Sequence, residues 1–110
     1  MLILTSDYLF QLDFNTADII DFEDQPQYEN LSLTPSDDFL IVDYMSIEKI
    51  TSSIKNKRLI ESPIEMEFIE FKNWSNNTLE FTCDKFMQWD KHYLLEYHDQ
   101  TEMINIKNVM

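Results

Sequence analysis

The chain has 110 residues, is 44% hydrophobic and 14% aromatic, and carries a net charge of −13 at pH 7. This suffices for one globular domain with a modest core, expected over residues 1–110, and is too short for two ordinary ones. Charge of this density repels nucleic acid and anionic membranes, and the longest apolar run, Phe39 to Val42, is far too short to span a bilayer.

Period-two alternation dominates the pattern. Tyr8, Phe10, Leu12 and Phe14 share one side of a first strand, with Leu9, Gln11 and Asp13 opposite. Asn15-Thr16 predicts a tight turn, and Ala17 to Phe22 a returning strand. Gln25-Pro26-Gln27 breaks the pattern before a short edge strand from Tyr28 to Leu33. Thr34-Pro35-Ser36-Asp37-Asp38 is a strong turn signal, and Phe39 to Tyr44 reads as a buried strand.

The period then changes. Ile47, Ile50, Thr51 and Ile54 recur at helical spacing, Ser46 can cap, and Glu48 suits a first turn. Lys55, Lys57 and Arg58 then fall where positive charge complements a helix C-terminus. An amphipathic helix is therefore expected near 46–58.

Strands resume at Ile64, with Ile64, Met66 and Phe68 on one face and a turn over Asn73 to Asn77. Leu79, Phe81 and Cys83 alternate with Glu80, Thr82 and Asp84; Tyr93, Leu95 and Tyr97 follow, and Ile104 and Ile106 close the pattern. The expected fold is α+β: mainly antiparallel β, about seven or eight short strands in a curled sheet or small barrel, with one helix.

The charge is lopsided. Residues 1–48 hold eleven Asp or Glu and no Lys or Arg, whereas residues 49–110 hold ten acids and eight bases. A face that serves solubility alone ordinarily mixes both signs. Asp13, Asp18, Asp21, Glu23, Asp24, Glu29, Asp37, Asp38 and Asp43 fall on strands and turns expected to lie close together. Strand neighbours two apart are about 6.5–7 Å from each other, so such carboxylates can form a ladder. Tyr8, Phe22, Tyr28 and Tyr44 are interleaved, and aromatic rings are common interface anchors. The nine carboxylates and Tyr28 are the expected partner-binding residues.

Catalytic chemistry finds little support. The chain has no Gly, which excludes P-loops, dinucleotide-binding turns and nucleophile elbows. His92, Glu96 and His98 share parity, but His92 and His98 would stand about 20 Å apart on a strand, too far to share a metal. Glu96 with His98 is the one candidate acid–base pair. Cys83 alternates with core residues and has Asp84 beside it, the surroundings of an inert thiol rather than a nucleophile. Asp21-Phe22-Glu23-Asp24 lacks the ligand spacing and turn Gly of a calcium loop. No metal and no cofactor are expected.

The N-terminus has no basic region ahead of its apolar residues, and a single cysteine forms no internal disulfide, so a cytoplasmic location is expected. These features suit a non-catalytic protein that binds and inhibits a basic nucleic-acid-acting partner, as an immunity protein does with a nuclease toxin. A phage protein that mimics nucleic acid to disarm restriction or CRISPR enzymes shares the same physics. The competing classes are a small enzyme built on Glu96 and His98 or on a carboxylate pair, and an adaptor subunit that binds a basic partner without inhibiting it. Direct nucleic-acid and membrane binding are not expected, and the oligomeric state is left open.

Overall fold

In the computed structural model, which describes residues 1–24, 28–43 and 45–109, the chain is all-β. Eleven strands among these residues form three antiparallel sheets, each a meander of consecutive strands. The first sheet comprises β1 (Leu2–Leu4), β2 (Tyr8–Leu12) and β3 (Ile19–Asp24). The second comprises β4 (Asn30–Leu33), β5 (Phe39–Val42), β6 (Ile47–Ile50) and β7 (Lys57–Ile60). The third comprises β8 (Met66–Ser75), β9 (Thr78–Lys85), β10 (Gln88–His98) and β11 (Met103–Val109). The break expected at Gln25–Gln27 and the place of Tyr44 lie outside the described residues.

The second sheet is the middle layer. Leu40, Val42, Ile47 and Ile60 pack on one side against Met66, Leu79, Phe81, Leu95 and Tyr97 of the third sheet. Ile41 and Ile50 pack on the other side, with Ile54, against Leu2 and Leu9 of the first sheet. Phe39-Leu40-Ile41-Val42 is continuously apolar because β5 is covered on both faces, which removes the need for a polar side.

This double burial overturns the α+β expectation. No helix occurs among the described residues, and the segment near 46–58 is β6, a turn and β7. Ile47 and Ile50 point to opposite faces of β6 and both are buried, which mimics a helical spacing. Ser46 does not cap a helix; its N–H, its Oγ–H and the N–H of Met45 all donate to Asp43 Oδ1, closing the β5–β6 turn. Lys55, Lys57 and Arg58 are not a helix end but three partners of separate carboxylates. The expected curled sheet or small barrel with one helix is accordingly replaced by three packed sheets.

Without glycine, other residues take the left-handed backbone positions that tight connections demand. Ala17, Asp37, Asn76, Met87 and Glu102 have φ of 61°, 66°, 55°, 64° and 57° in turns, and Phe68 has φ of 52° within β8. Asp and Asn tolerate this region, whereas the others carry a penalty of roughly 1–2 kcal/mol each. At Phe68 the irregularity has a packing consequence. The β8–β9 register shifts between Glu67 and Glu70, so Phe68 turns out to solvent and Ile69 takes the core position. The expected turn at Asn73 to Asn77 is likewise shorter. Trp74 lies within β8, its Nε1–H donating to Ser32 Oγ at 2.9 Å and its ring edge-on to Tyr97.

Candidate functional site

The acidic first half divides into carboxylates that face other sheets and carboxylates that face water. On β3, Asp21 and Glu23 turn towards the second sheet, where Lys55 Nζ reaches Asp21 Oδ2 at 3.5 Å and Lys57 Nζ donates to Glu23 Oε2 at 2.6 Å. Lys57 also donates to Ile54 O and lies 5.9 Å from the centre of the Tyr28 ring. Burial raises the Tyr28 hydroxyl pKa, partly offset by the Lys57 charge. Glu48 stands nearby with its carboxyl pKa raised, first by burial and then by the charges of Asp43 and Glu23.

A deeper network joins the second and third sheets. Lys49 lies between Ile47 and Ile50 on β6 and is only 5% exposed, because its Nζ is held by Glu102 Oε2 at 3.1 Å, Asp99 Oδ1 at 3.2 Å and Asp38 Oδ2 at 3.6 Å. Asp99 also accepts from Ser36 Oγ at 2.7 Å and from the Tyr97 hydroxyl at 3.1 Å, and Glu102 accepts from Arg58. Burial alone would raise the Asp99 pKa, but the bonds from Ser36, Lys49 and Tyr97 and the Lys49 charge outweigh it and hold the carboxyl below its ordinary value. Burial likewise disfavours the Lys49 charge, and the bonds to Glu102 and Asp99 reverse the balance so that its pKa is raised. The Tyr97 hydroxyl is pushed up to about 12, mainly by burial.

The ten expected partner-binding residues are therefore not on one continuous face. Asp13, Asp18, Asp21, Glu23 and Asp24 belong to the first sheet and its β2–β3 turn. Glu29 and Asp43 flank one end of the second sheet, Glu29 N–H bonding to Val42 O, while Asp37 and Asp38 occupy the turn at its other end. Asp13 and Asp43 each fold back on backbone N–H groups of their own turns. The bonds from Thr16 and Asn15 lower the Asp13 pKa. Asp21, Glu23 and Asp38 are ion-paired internally, and Tyr28 sits beneath Lys57.

What remains outward is Asp7, Asp18 and Asp24 on the first sheet and its turns, with Glu29 and Asp37 elsewhere; none forms an ion pair among the described residues. Beside Asp24 lies an apolar surface. Ile3 registers opposite Phe10, and Phe10 opposite Phe22, making one row across all three strands on the side away from the core. Tyr8 registers opposite Asp24 in the next row. The rings of Tyr8, Phe10 and Phe22 touch, with centroids 5.4, 6.2 and 6.5 Å apart. Phe22 is 56% exposed and Ile20, two residues before it, 58%. The signal in the sequence was Tyr8-Leu9-Phe10, a strand apolar on both sides, of which the structure buries only the Leu9 side.

Glu96 and His98 share the outer face of β10; His98 Nδ1 lies 3.3 Å from Thr78 Oγ1, and Glu96 registers opposite Glu80, which Lys107 bridges at 2.9 Å. A cleft at Glu96 is lined also by Asn73, Thr78, Glu80 and Lys107, and His98 does not line it. His92 Nδ1 contacts Asp84 Oδ1 at 2.5 Å. Cys83 is buried, and burial, with the charge of Asp84, pushes its thiol up to about 12. Among the described residues no three His, Cys, Asp or Glu side chains are grouped so as to hold a metal ion. Neither a protein-family model, nor a curated protein sequence, nor a solved structure matches this chain.

Proposed function

We propose that this chain is an acidic, non-catalytic cytoplasmic protein that binds and inhibits a basic nucleic-acid-acting protein, as an immunity protein neutralising a nuclease toxin. One observation carries the reading. All four bases of residues 49–58 are in ion pairs with carboxylates, so the positive charge nearest the acidic half is spent internally. The outward carboxylates Asp7, Asp18, Asp24, Glu29 and Asp37 form no ion pair among the described residues. An acidic field accelerates encounter with a cationic cleft and occupies the place where phosphates would lie.

The test is capture of tagged, full-length protein from nuclease-treated lysate of its host, washed at low and then high salt, followed by a nuclease assay. The expected outcome is one stoichiometric basic protein, retained at low salt and released at high salt, whose cleavage of DNA or RNA the chain suppresses. A stoichiometric partner whose activity is unchanged would make the chain an adaptor instead. Absence of any partner at either salt would remove the binding role.

A further inference from the structure

A three-stranded antiparallel sheet with one covered face should read apolar inward and polar outward. The first sheet departs from this. Its inner face supplies Leu2 and Leu9 to the core, yet its outer face carries the touching rings of Tyr8, Phe10 and Phe22, with Ile3 in register opposite Phe10. Contiguous exposed apolar surface of this kind marks an interaction site more often than it marks nothing.

Charge decides what can cover it. Asp24 stands on the same face opposite Tyr8, and Asp7 and Asp18 lie in the adjoining connections; residues 1–48 hold no Lys or Arg, and the Met1 ammonium donates to Leu12 O. The two carboxylates of β3 that have cations, Asp21 and Glu23, face the opposite way. Two copies of this face would bring like charges together in each other's low-dielectric shadow, which disfavours a second copy as the occupant. Phosphate-bearing surfaces are rejected for the same reason. A cationic protein surface fits, and arginine fits better than lysine. Its planar guanidinium stacks on aromatic faces and is weakly hydrated, while its N–H fork matches a carboxylate such as Asp24.

We infer that the outer face of the first sheet, the row Ile3, Phe10 and Phe22 with Tyr8 and Asp24, docks an arginine-presenting segment of a basic protein partner. This rests on the binding role proposed above and assigns it a place and a chemistry. The aromatic rings supply the anchor and the carboxylates the steering, so the other outward acids, Glu29 and Asp37, contribute long-range field without contact.

The test uses the full chain, isotopically labelled, titrated at low salt with a nona-arginine and a nona-lysine peptide of equal charge. The expected result is amide shift changes concentrated on β1, β2 and β3, and an arginine preference of about fivefold. Phe22→Ser, at an exposed position, should weaken arginine binding more than lysine binding and so abolish that preference; Tyr8→Ser is the second variant should Phe22→Ser fail to fold. Equal affinity for the two peptides, with shifts spread over Glu29, Asp37 and Asp90, would overturn the docking face while leaving a cation-binding protein. Binding of neither peptide would sink both readings. Concentration-dependent shifts on this face without peptide would make a second copy the occupant and overturn the assignment.

Discussion

Around Lys49, the carboxylates of Asp38, Asp99 and Glu102 converge on an ammonium almost sealed from water, whereas Asp24 on the outer face of the first sheet and Asp7 and Asp18 in its connections are exposed, with no ion pair among the described residues. The two regions draw on the same residue types and differ in what surrounds them. In the first, each acid is part of the packing between the second and third sheets, and removing its counter-charge leaves a buried ion. In the second, each acid is exposed to water, so its charge is available to another molecule. An acidic composition therefore has two separable meanings within one small protein: one set of carboxylates holds the sheets together and another set projects a field.

Lys49→Met should separate the two most forcefully. It strands Asp99 and weakens the hold on Asp38 and Glu102, so stability should fall by about 3–5 kcal/mol, the loss typical of breaking a buried ion pair on one side. Urea denaturation at pH 7 measures it. A loss below about 1 kcal/mol would mean that water solvates the site and that the contrast with the outer face is one of degree.

Asp99→Asn should come next, at about 1–3 kcal/mol at pH 7, since the Lys49 charge keeps Asp38 and Glu102. Its pH dependence sharpens the point. The Asp99 pKa is lowered in the fold, so its contribution is present above the unfolded value near 3.9 and is lost as pH falls through the lower folded value. The Lys49 pKa is raised, so its contribution is present below about 10.4 and is lost only as pH rises through a still higher value. The acid limb of the wild-type stability curve should therefore be steeper than that of Asp99→Asn, with no difference in slope between pH 6 and 9.

Lys57 and Lys55 pair with two carboxylates of β3, Glu23 and Asp21, at different depths. Lys57 is 14% exposed in its side chain and Lys55 74%, and Glu23 Oε1 is buried with no hydrogen bond among the described residues. Lys57→Met should lower stability by about 1–3 kcal/mol and Lys55→Met by less than about 1 kcal/mol. Equal losses in thermal melts would show that burial is not what separates these pairs.

The smallest effect is expected on the outer face. Asp7→Asn, Asp18→Asn and Asp24→Asn should each change stability by no more than about 0.5 kcal/mol. The triple variant should be slightly stabilised at low salt, with the gain disappearing at high salt as self-repulsion is screened. Destabilisation by this variant would place these acids with the structural set and remove their claim to a partner.

Much of the antiparallel framework was legible in the chain. Thr34 to Asp38 forms the turn, Phe39 to Val42 the buried strand, and Leu79, Phe81, Cys83, Leu95 and Tyr97 the inward face of the third sheet, because alternation and turn chemistry are local properties. The segment over 46–58 was not legible as strand. Its Ile47 and Ile50 satisfy a helical period only because a sheet lies on each side of β6, and nothing within the segment itself encodes that. Lys49 was hidden for a related reason: its carboxylate partners Asp99 and Glu102 lie some fifty residues downstream, so a buried cation looked like an ordinary exposed one. The candidate site divides in the same way. The absence of bases from residues 1–48 was fixed by composition alone. Which carboxylates are neutralised, and which side of Tyr8-Leu9-Phe10 faces water, was decided by the stacking of three sheets, since burial and ion pairing depend on what the fold brings opposite each residue.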